Sequence, residues 1–355
     1  MSARRIAVVT GSRADYGLLK PILALLHRDR AARLQLIVTG SHLSRRFGRT
    51  IDEIRRDGFP VAAKVAMNVD RDGPGDIARA MSAATSGFAA AFERLRPDLL
   101  LLLGDRYEIL SAASAALPFR LPVAHIHGGE STEGLIDEQI RHAVTKLSHL
   151  HFPVTSVYRD RLLSMGERPE RVHCFGAPGL DGLSTFPFRG RKQLFREIGI
   201  PVDATVGVFT YHPVTLERGS SDRDARAVLA ALEAIPNIFW ICTLPNADTE
   251  YAPIIRRLKE FARRNPRRCV LRASLGRARY LSLLKYASIM VGNSSSGIIE
   301  CPSFGLPAVN IGRRQQGRLR AANVIDVPKP LTEAVLRAIR RGLSAAFRRQ
   351  VLRPS

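Results

Sequence analysis

Acidic residues are scarce in this chain: 32 Asp and Glu stand against 54 Lys and Arg, a formal net charge of +22 over 355 residues. Such a balance favours anionic partners, whether nucleic acid, a membrane surface or a phosphorylated ligand. The bases are overwhelmingly Arg and scattered. Only the C-terminal end is one-sided, with Arg337, Arg340, Arg341, Arg348, Arg349 and Arg353 and no acid among them. No aromatic-interleaved basic patch accompanies the charge, so a solvated Arg-rich surface is the plainer reading and nucleic acid is not expected as a partner. Cysteine is equally sparse. Cys174, Cys242, Cys269 and Cys301 are isolated, without CxxC spacing. Neither a zinc site nor a disulfide framework is indicated, and a reducing cytoplasm fits. Long hydrophobic runs are missing too. None approaches the roughly 20 residues of a membrane helix, and the N-terminal MSARRIAVVTGSR lacks the apolar core and cleavage site of a signal peptide.

What remains is ordinary for a globular enzyme, with 45% hydrophobic and 24% charged residues and length for about two domains. Short apolar runs alternate with helical patterns. Strands are expected at 6–10, 34–39, 61–69, 99–103, 122–126 and 150–153, with a further one near Val172. After a composition change at PFRGR (187–191), the rhythm restarts at 206–210, 238–243, 270–272, 289–292 and 307–311. Strand–helix alternation implies parallel sheets with right-handed crossovers. The expected architecture is α/β, with two Rossmann-like doubly wound domains facing a central cleft. The first covers residues 1–182, a linker 183–202, and the second 203–355.

The stretch from Asp98 to His142 carries the densest chemistry. An all-Leu strand runs into Gly104-Asp105-Arg106, and a second strand, with His125 and His127 at its end, leads to a loop and helix start holding Glu130, Glu133 and Asp137. Acids and imidazoles beyond consecutive strand ends mark an α/β active site, and paired carboxylates move protons at sugar rings. Asp137 serves equally as a helix N-terminal acid. Upstream, Gly11 to Gly17 is neither GxGxxG nor a P-loop. Asp15 reads there as a helix N-cap, while Arg13 could reach an anionic ligand. In the second half, Asn293-Ser294-Ser295-Ser296-Gly297 lies between a strand and a helix expected over 298–304. Backbone N–H groups, hydroxyls and a helix N-terminus suit phosphate. Glu300 could accept from ribose hydroxyls, and Arg314 could neutralise phosphate charge. His212, at a strand end, could hydrogen-bond a diphosphate leaving group. Plain capping by serine is the alternative for the 293–297 turn.

Jointly, TGSRADYG (10–17), VTGSHLS (38–44), LGDRYE (103–108), HIHGGESTEGLIDEQIRHAVTKLSHLHF (125–152), GAPGLD (176–181), YHPVT (211–215), GNSSSGIIE (292–300) and NIGRRQQGR (310–318) resemble the hydrolysing UDP-N-acetylglucosamine 2-epimerases of bacterial sialic and legionaminic acid synthesis. The resemblance spans residues 6 to about 327. It implies a GT-B fold, a homodimer or homotetramer, and no metal or other cofactor. It implies elimination of UDP to a glycal, then hydration with inverted configuration at C2. It places Asp105, Glu130 and Asp137 among the acid/base groups and His212 by the diphosphate. Arg13, Arg106, Asn246, Ser294, Ser295, Glu300 and Arg314 fall on UDP-sugar-binding positions. Some relatives carry an acid where this chain has His127, which leaves open whether Glu130 or Glu133 takes that role. Family members usually continue into a helix crossing back to the first domain, whereas this chain ends in SAAFRRQVLRPS, so weaker domain closure is expected.

The favoured substrate is UDP-N-acetylglucosamine. The alternative is UDP-2,4-diacetamido-trideoxyhexose (UDP-diacetylbacillosamine), towards which the wording of residues 125–142 leans. A retaining glycosyltransferase on the same fold and a basic nucleic-acid-binding protein are the rival readings. The first would need an acceptor. The second would bind RNA or DNA with steep salt dependence.

Overall fold

The computed structural model describes residues 3–351. The end of the Arg-rich tail, including Arg353, lies outside the described residues. Two compact units emerge. One comprises residues up to 131 together with 136–184, and the other comprises 132–135 and everything from 185 onward.

The first unit runs β1 (Arg4–Thr10), α1 (Arg13–Arg28), β2 (Ala32–Thr39), α2 (Ile51–Arg56), β3 (Val61–Val65), α3 (Pro74–Leu95), β4 (Leu99–Leu103), α4 (Tyr107–Ala116), β5 (Val123–Ile126), α5 (Asp137–Lys146), β6 (Leu150–Phe152) and α6 (Ser156–Ser164). The second runs α7 (Arg191–Ile198), β7 (Val206–Thr210), α8 (Ser221–Glu233), β8 (Phe239–Thr243), α9 (Tyr251–Arg264), β9 (Cys269–Arg272), α10 (Gly276–Tyr286), β10 (Ile289–Gly292), α11 (Ser296–Ile299), β11 (Ala308–Ile311), β12 (Val324–Val327), α12 (Thr332–Leu343) and α13 (Ala345–Val351).

Each unit holds one six-stranded sheet. The orders are β3-β2-β1-β4-β5-β6 and β12-β11-β10-β7-β8-β9, with all pairings parallel. Renumbered within its own unit, each sheet has the doubly wound order 3-2-1-4-5-6. Chain order therefore reverses at β1/β4 in the first sheet and at β7/β10 in the second. Parallel strands covered by helices on both faces need continuous apolar sequence rather than alternation. The run Leu100 to Leu103 supplies it and is buried along its length. It packs with Val8, Leu36, Leu19 and Leu23 under α1.

Local chemistry sets the element ends. Ser12 caps α1, and Asp15, at the third helical position, closes a capping box. Asp15 is thus the reciprocal partner of the cap, not the cap itself. Gly292 has φ 138°, and a Cβ there would lie 1.9 Å from the Thr210 carbonyl oxygen. Only glycine lets β10 approach β7 this closely. On the second unit's surface, Asp222 of α8 takes Arg226, Arg256 and Arg257 at 3.0, 2.8 and 2.8 Å, tying α8 to α9.

Four further expectations change. The strand near Val172 reduces to a single bridge with His151. The helix expected over 298–304 is the four-residue α11 followed by a 3-10 turn, Cys301–Phe304. Pro302 inside that span has no N–H to continue an α-helix. Two further elements, β12 and α7, arise where sequence reading expects no strand and a linker.

Candidate active site

In doubly wound sheets, ligands bind beyond the carboxyl ends of the strands where chain order reverses. Both reversal points here are crowded with polar side chains, and each is described separately.

At the first, the loops after β1 and β4 touch. A Cβ on Gly11 would meet the Glu108 carboxylate at 2.5 Å. Asp15 accepts from the N–H groups of Gly11 and Ser12 and from Ser12 Oγ, each at 2.7 Å, which locks the 11–16 turn. Arg13 opens α1 beside it. Arg106 donates through Nε to Glu108 Oε1 at 2.7 Å. Glu108 is buried, and its Oε2 has no hydrogen-bond partner among the described residues. Burial drives its carboxyl pKa upward against the opposing pull of Arg106, and the nearby Asp15 charge adds to the rise.

The centre of this constellation is Arg141, on α5 and fully buried. Its guanidinium grips Asp105 Oδ2 through Nε at 3.0 Å and through Nη2. Through Nη1 it donates to Glu138 Oε2 at 2.7 Å and to the Glu130 carbonyl at 2.9 Å. Burial alone would lower the Arg141 pKa, but the carboxylates of Asp105, Glu130 and Glu138 outweigh it and hold the group above its ordinary value. One cation thereby links the β4 loop, the β5 loop and α5. Asp137 starts α5 and is buried. His127 Nδ1 lies 2.5 Å from Glu130 Oε1, both groups buried. His125 Nε2 donates to the Gly104 carbonyl at 2.7 Å, and burial pushes its pKa down to about 4. It is a neutral strut that holds the turn before Asp105. Glu133 stands apart: it is exposed, groups with the second unit, and its carboxylate accepts from Gln316 Nε2 at 2.7 Å.

At the second reversal point, charge gives way to amides and hydroxyls. The Asn293 side chain accepts from the His212 N–H at 2.7 Å and donates to the His212 carbonyl at 2.8 Å. It thus extends the β7/β10 ladder by one rung. His212 is buried, and its Nδ1 accepts from the Asn246 backbone N–H at 3.1 Å. A neutral imidazole that accepts at Nδ1 carries its proton on Nε2, which makes His212 a donor. Asn246 therefore contributes its backbone to setting that tautomer. Ser294 and Ser295 are half-buried beyond β10, and Ser296 Oγ is fixed by the Tyr280 hydroxyl at 2.7 Å. Because α11 is one turn long, a macrodipole is a minor contributor there, and N–H groups and hydroxyls are the main donors. Glu300 follows α11 directly. Arg314 sits between the Asn293 carbonyl, at 3.4 Å, and Asp248, at 3.7 Å, while Gln315 donates to the same carbonyl at 2.9 Å.

The first unit thus gathers Asp105, Glu130, Asp137 and Arg106, and the second gathers His212, Asn246, Ser294, Ser295, Glu300 and Arg314. Sequence reading missed Arg141, Glu138, Glu108 and Gln315, and took Asn293 only as part of its turn. A signal existed for Arg141, an Arg placed i+3 and i+4 from two acids on one helix. Among the described residues, no group of three or more His, Cys, Asp or Glu is arranged to hold a metal ion. No described helix is long and apolar enough to cross a membrane.

Known proteins match this chain in sequence and in fold. The UDP-N-acetylglucosamine 2-epimerase family matches residues 24–353. The chain is 40% identical over 326 residues to the GDP/UDP-N,N'-diacetylbacillosamine 2-epimerase (hydrolyzing) of Campylobacter jejuni, covering 92% of this chain and 85% of that protein. It is 39% identical over 341 residues to the UDP-N,N'-diacetylbacillosamine 2-epimerase (hydrolyzing) of Legionella pneumophila, covering 96% and 89%. The crystal structure of UDP-GlcNAc 2-epimerase from Neisseria meningitidis bound to UDP-GlcNAc matches with a TM-score of 0.80 at 18% identity, covering 99% of this chain and 95% of that one. That likeness establishes the fold, two Rossmann-like domains of the GT-B type. With a family match and close relatives extending over almost its whole length, the chain belongs to the UDP-N-acetylglucosamine 2-epimerase family.

Proposed function

We propose that this protein is a hydrolysing 2-epimerase whose substrate is UDP-2,4-diacetamido-trideoxyhexose, UDP-N,N'-diacetylbacillosamine, and whose products are UDP and the free 2-epimeric sugar. One observation carries the choice of sugar. Identity is 40% and 39% to the two relatives named for diacetylbacillosamine, against 34% to the Neisseria meningitidis protein named for UDP-N-acetylglucosamine. Sequence reading alone favours the latter substrate, and the identities shift the balance.

The chemistry divides between the units. The C2 proton has no adjacent carbonyl, so the leaving group must carry much of the driving force. In this reading the His212 Nε2 proton, Ser294, Ser295 and Arg314 stabilise the departing diphosphate, and Arg13 and Arg106 are further UDP-sugar-binding residues. Asn246 holds His212, and Glu300 accepts from the ribose. Asp105, Glu130 and Asp137 are assigned to support proton transfer at C2. A cytoplasmic homodimer or homotetramer completes the reading, and four free cysteines accord with that compartment.

Proton NMR in D2O tests it, with both UDP-sugars offered in parallel. The expected result is UDP plus a free 2-epimer deuterated at C2, formed faster from the diacetamido sugar. Faster turnover of UDP-N-acetylglucosamine would reverse the sugar assignment. UDP release only with an added acceptor would point to a transferase.

A further inference from the structure

We propose that the proton-transfer group of the β5 loop is the His127 imidazole, acting through Nε2 and positioned by Glu130, rather than either carboxylate of that loop. The inference rests on the 2-epimerase reading above.

Three observations carry it. The first is saturation of the neighbouring acids. Asp105 and Glu138 both face Arg141, and Asp15 accepts from two backbone N–H groups and a hydroxyl. Carboxylates so engaged are poor bases, because the hydrogen bonds and positive charge they receive already stabilise the ionised form.

The second is a contrast with two other buried histidines of the first unit. His42 bonds Thr10 Oγ1 at 3.0 Å and Thr50 Oγ1 at 2.7 Å. His125 bonds the Gly104 carbonyl and lies 3.5 Å from Thr145 Oγ1. Both therefore use both ring nitrogens. His127 uses only Nδ1. Its Nε2 is buried and has no hydrogen-bond partner among the described residues. A carboxylate on Nδ1 puts the proton there and leaves the lone pair on Nε2, the arrangement by which carboxylates orient catalytic imidazoles.

The third is backbone strain. His127 has φ 67°, unusual for a residue with a Cβ, and Gly129 has φ 78°. The loop is held there from several sides. The His127 N–H donates to the Phe152 carbonyl at 3.2 Å, Arg161 to the Gly129 carbonyl at 3.0 Å, and Arg141 to the Glu130 carbonyl. Strain held by surrounding bonds is characteristic of sites where one side chain must be aimed.

In the elimination step, Nε2 takes the C2 proton. The C–H electron pair becomes the C1=C2 bond, and the C1–O bond breaks with its pair leaving on the diphosphate. The imidazolium then loses its proton to solvent. In hydration a different acid protonates C2 from the other face, and water, losing a proton, supplies oxygen to C1. Glu130 touches no reacting atom and is a positioning residue.

The test uses the full chain and whichever UDP-sugar it turns over. His127→Asn and His127→Gly both suit the left-handed backbone, so they remove the ring and keep the loop. Each should lower kcat by about 10²-fold or more, with UDP affinity by calorimetry unchanged. Added imidazole should restore turnover to His127→Gly in a concentration-dependent way and leave His127→Asn inactive. Glu130→Gln, which keeps an acceptor for Nδ1–H, should retain more activity than Glu130→Ala. Wild-type-like kcat in His127→Asn would overturn the proposal, as would failure of imidazole rescue. A loss confined to Glu108→Gln would move the role to Glu108. A wild-type enzyme that releases no UDP from either sugar would overturn the 2-epimerase reading and this proposal together, whereas a live wild type with an indifferent His127 overturns the proposal alone.

Discussion

The two sheets share a strand order, and each places a cluster at the same topological point, yet the clusters differ in kind. The β1/β4 point is ionic, built from Asp15, Arg106, Glu108, Asp105, Glu138 and Arg141. The β7/β10 point is dipolar, built from Asn293, His212, Ser294, Ser295 and Gln315, with Arg314 as its cation. Under the proposed function the difference follows from two tasks. Moving protons needs groups that can change charge. Holding a dianion needs donors whose charge stays fixed and which do not add acceptors against it.

The largest effect that would sharpen this contrast is on turnover. Asp105→Asn should lower kcat by about 10²- to 10⁴-fold while UDP affinity stays within about threefold. Glu138 keeps Arg141 partnered in that variant. Unchanged turnover would remove Asp105 from the chemistry. Next comes Arg141→Met, which strands two carboxylates at the ionic point. Urea unfolding should show a loss of about 3–5 kcal/mol, as for other buried pairs broken on one side. A variant as stable as wild type would show that the carboxylates are solvated. Across the contrast, Gly292→Ala should cost about 3 kcal/mol or more by the same measurement, since its Cβ collides with backbone. It should also weaken UDP binding, because Asn293 moves with it. Arg314→Ala should weaken UDP binding by about 1.5–3 kcal/mol, the usual worth of a hydrogen bond to a charged group. Calorimetry giving wild-type affinity would exclude that contact.

The smallest effect is a pH dependence located in the first unit. Burial lowers the pKa values of His42 and His125 from 6.5 to about 4. A lowered folded pKa favours the neutral form. The associated stability is therefore complete above 6.5 and is lost as pH falls through about 4. His125→Asn should take up about one proton fewer on unfolding across that window. An unchanged pH slope would mean that His125 is already charged in the folded state.

Much of this contrast was legible in the sequence, for identifiable reasons. Apolar runs such as Leu99 to Leu103 and the Gly-Asp-Arg turn after them betray buried parallel strands and their polar ends directly. The side chains that organise each cluster were harder to see. Arg141 resembles any surface arginine on an amphipathic helix until Asp105, 36 positions away, is brought against it. Asn293 reads as one more turn former, and only the β7/β10 pairing reveals it as a ladder rung. The sheet order has no local signature at all. The length of α11 was misjudged because Ile298 and Ile299 continue a helical pattern that Pro302 cuts short.

The surface clamp at Asp222 carries a colloidal consequence. In an acid-poor protein one carboxylate serves Arg226, Arg256 and Arg257, and this sharing pushes its pKa far below the ordinary range, chiefly through the Arg257 hydrogen bonds. Neutralising that single side chain would leave Arg226, Arg256 and Arg257 crowded on adjoining helices, with Glu260 as the remaining carboxylate partner of Arg257. The repulsion added between α8 and α9 would be strongest at low ionic strength, where screening of exposed charges is weakest.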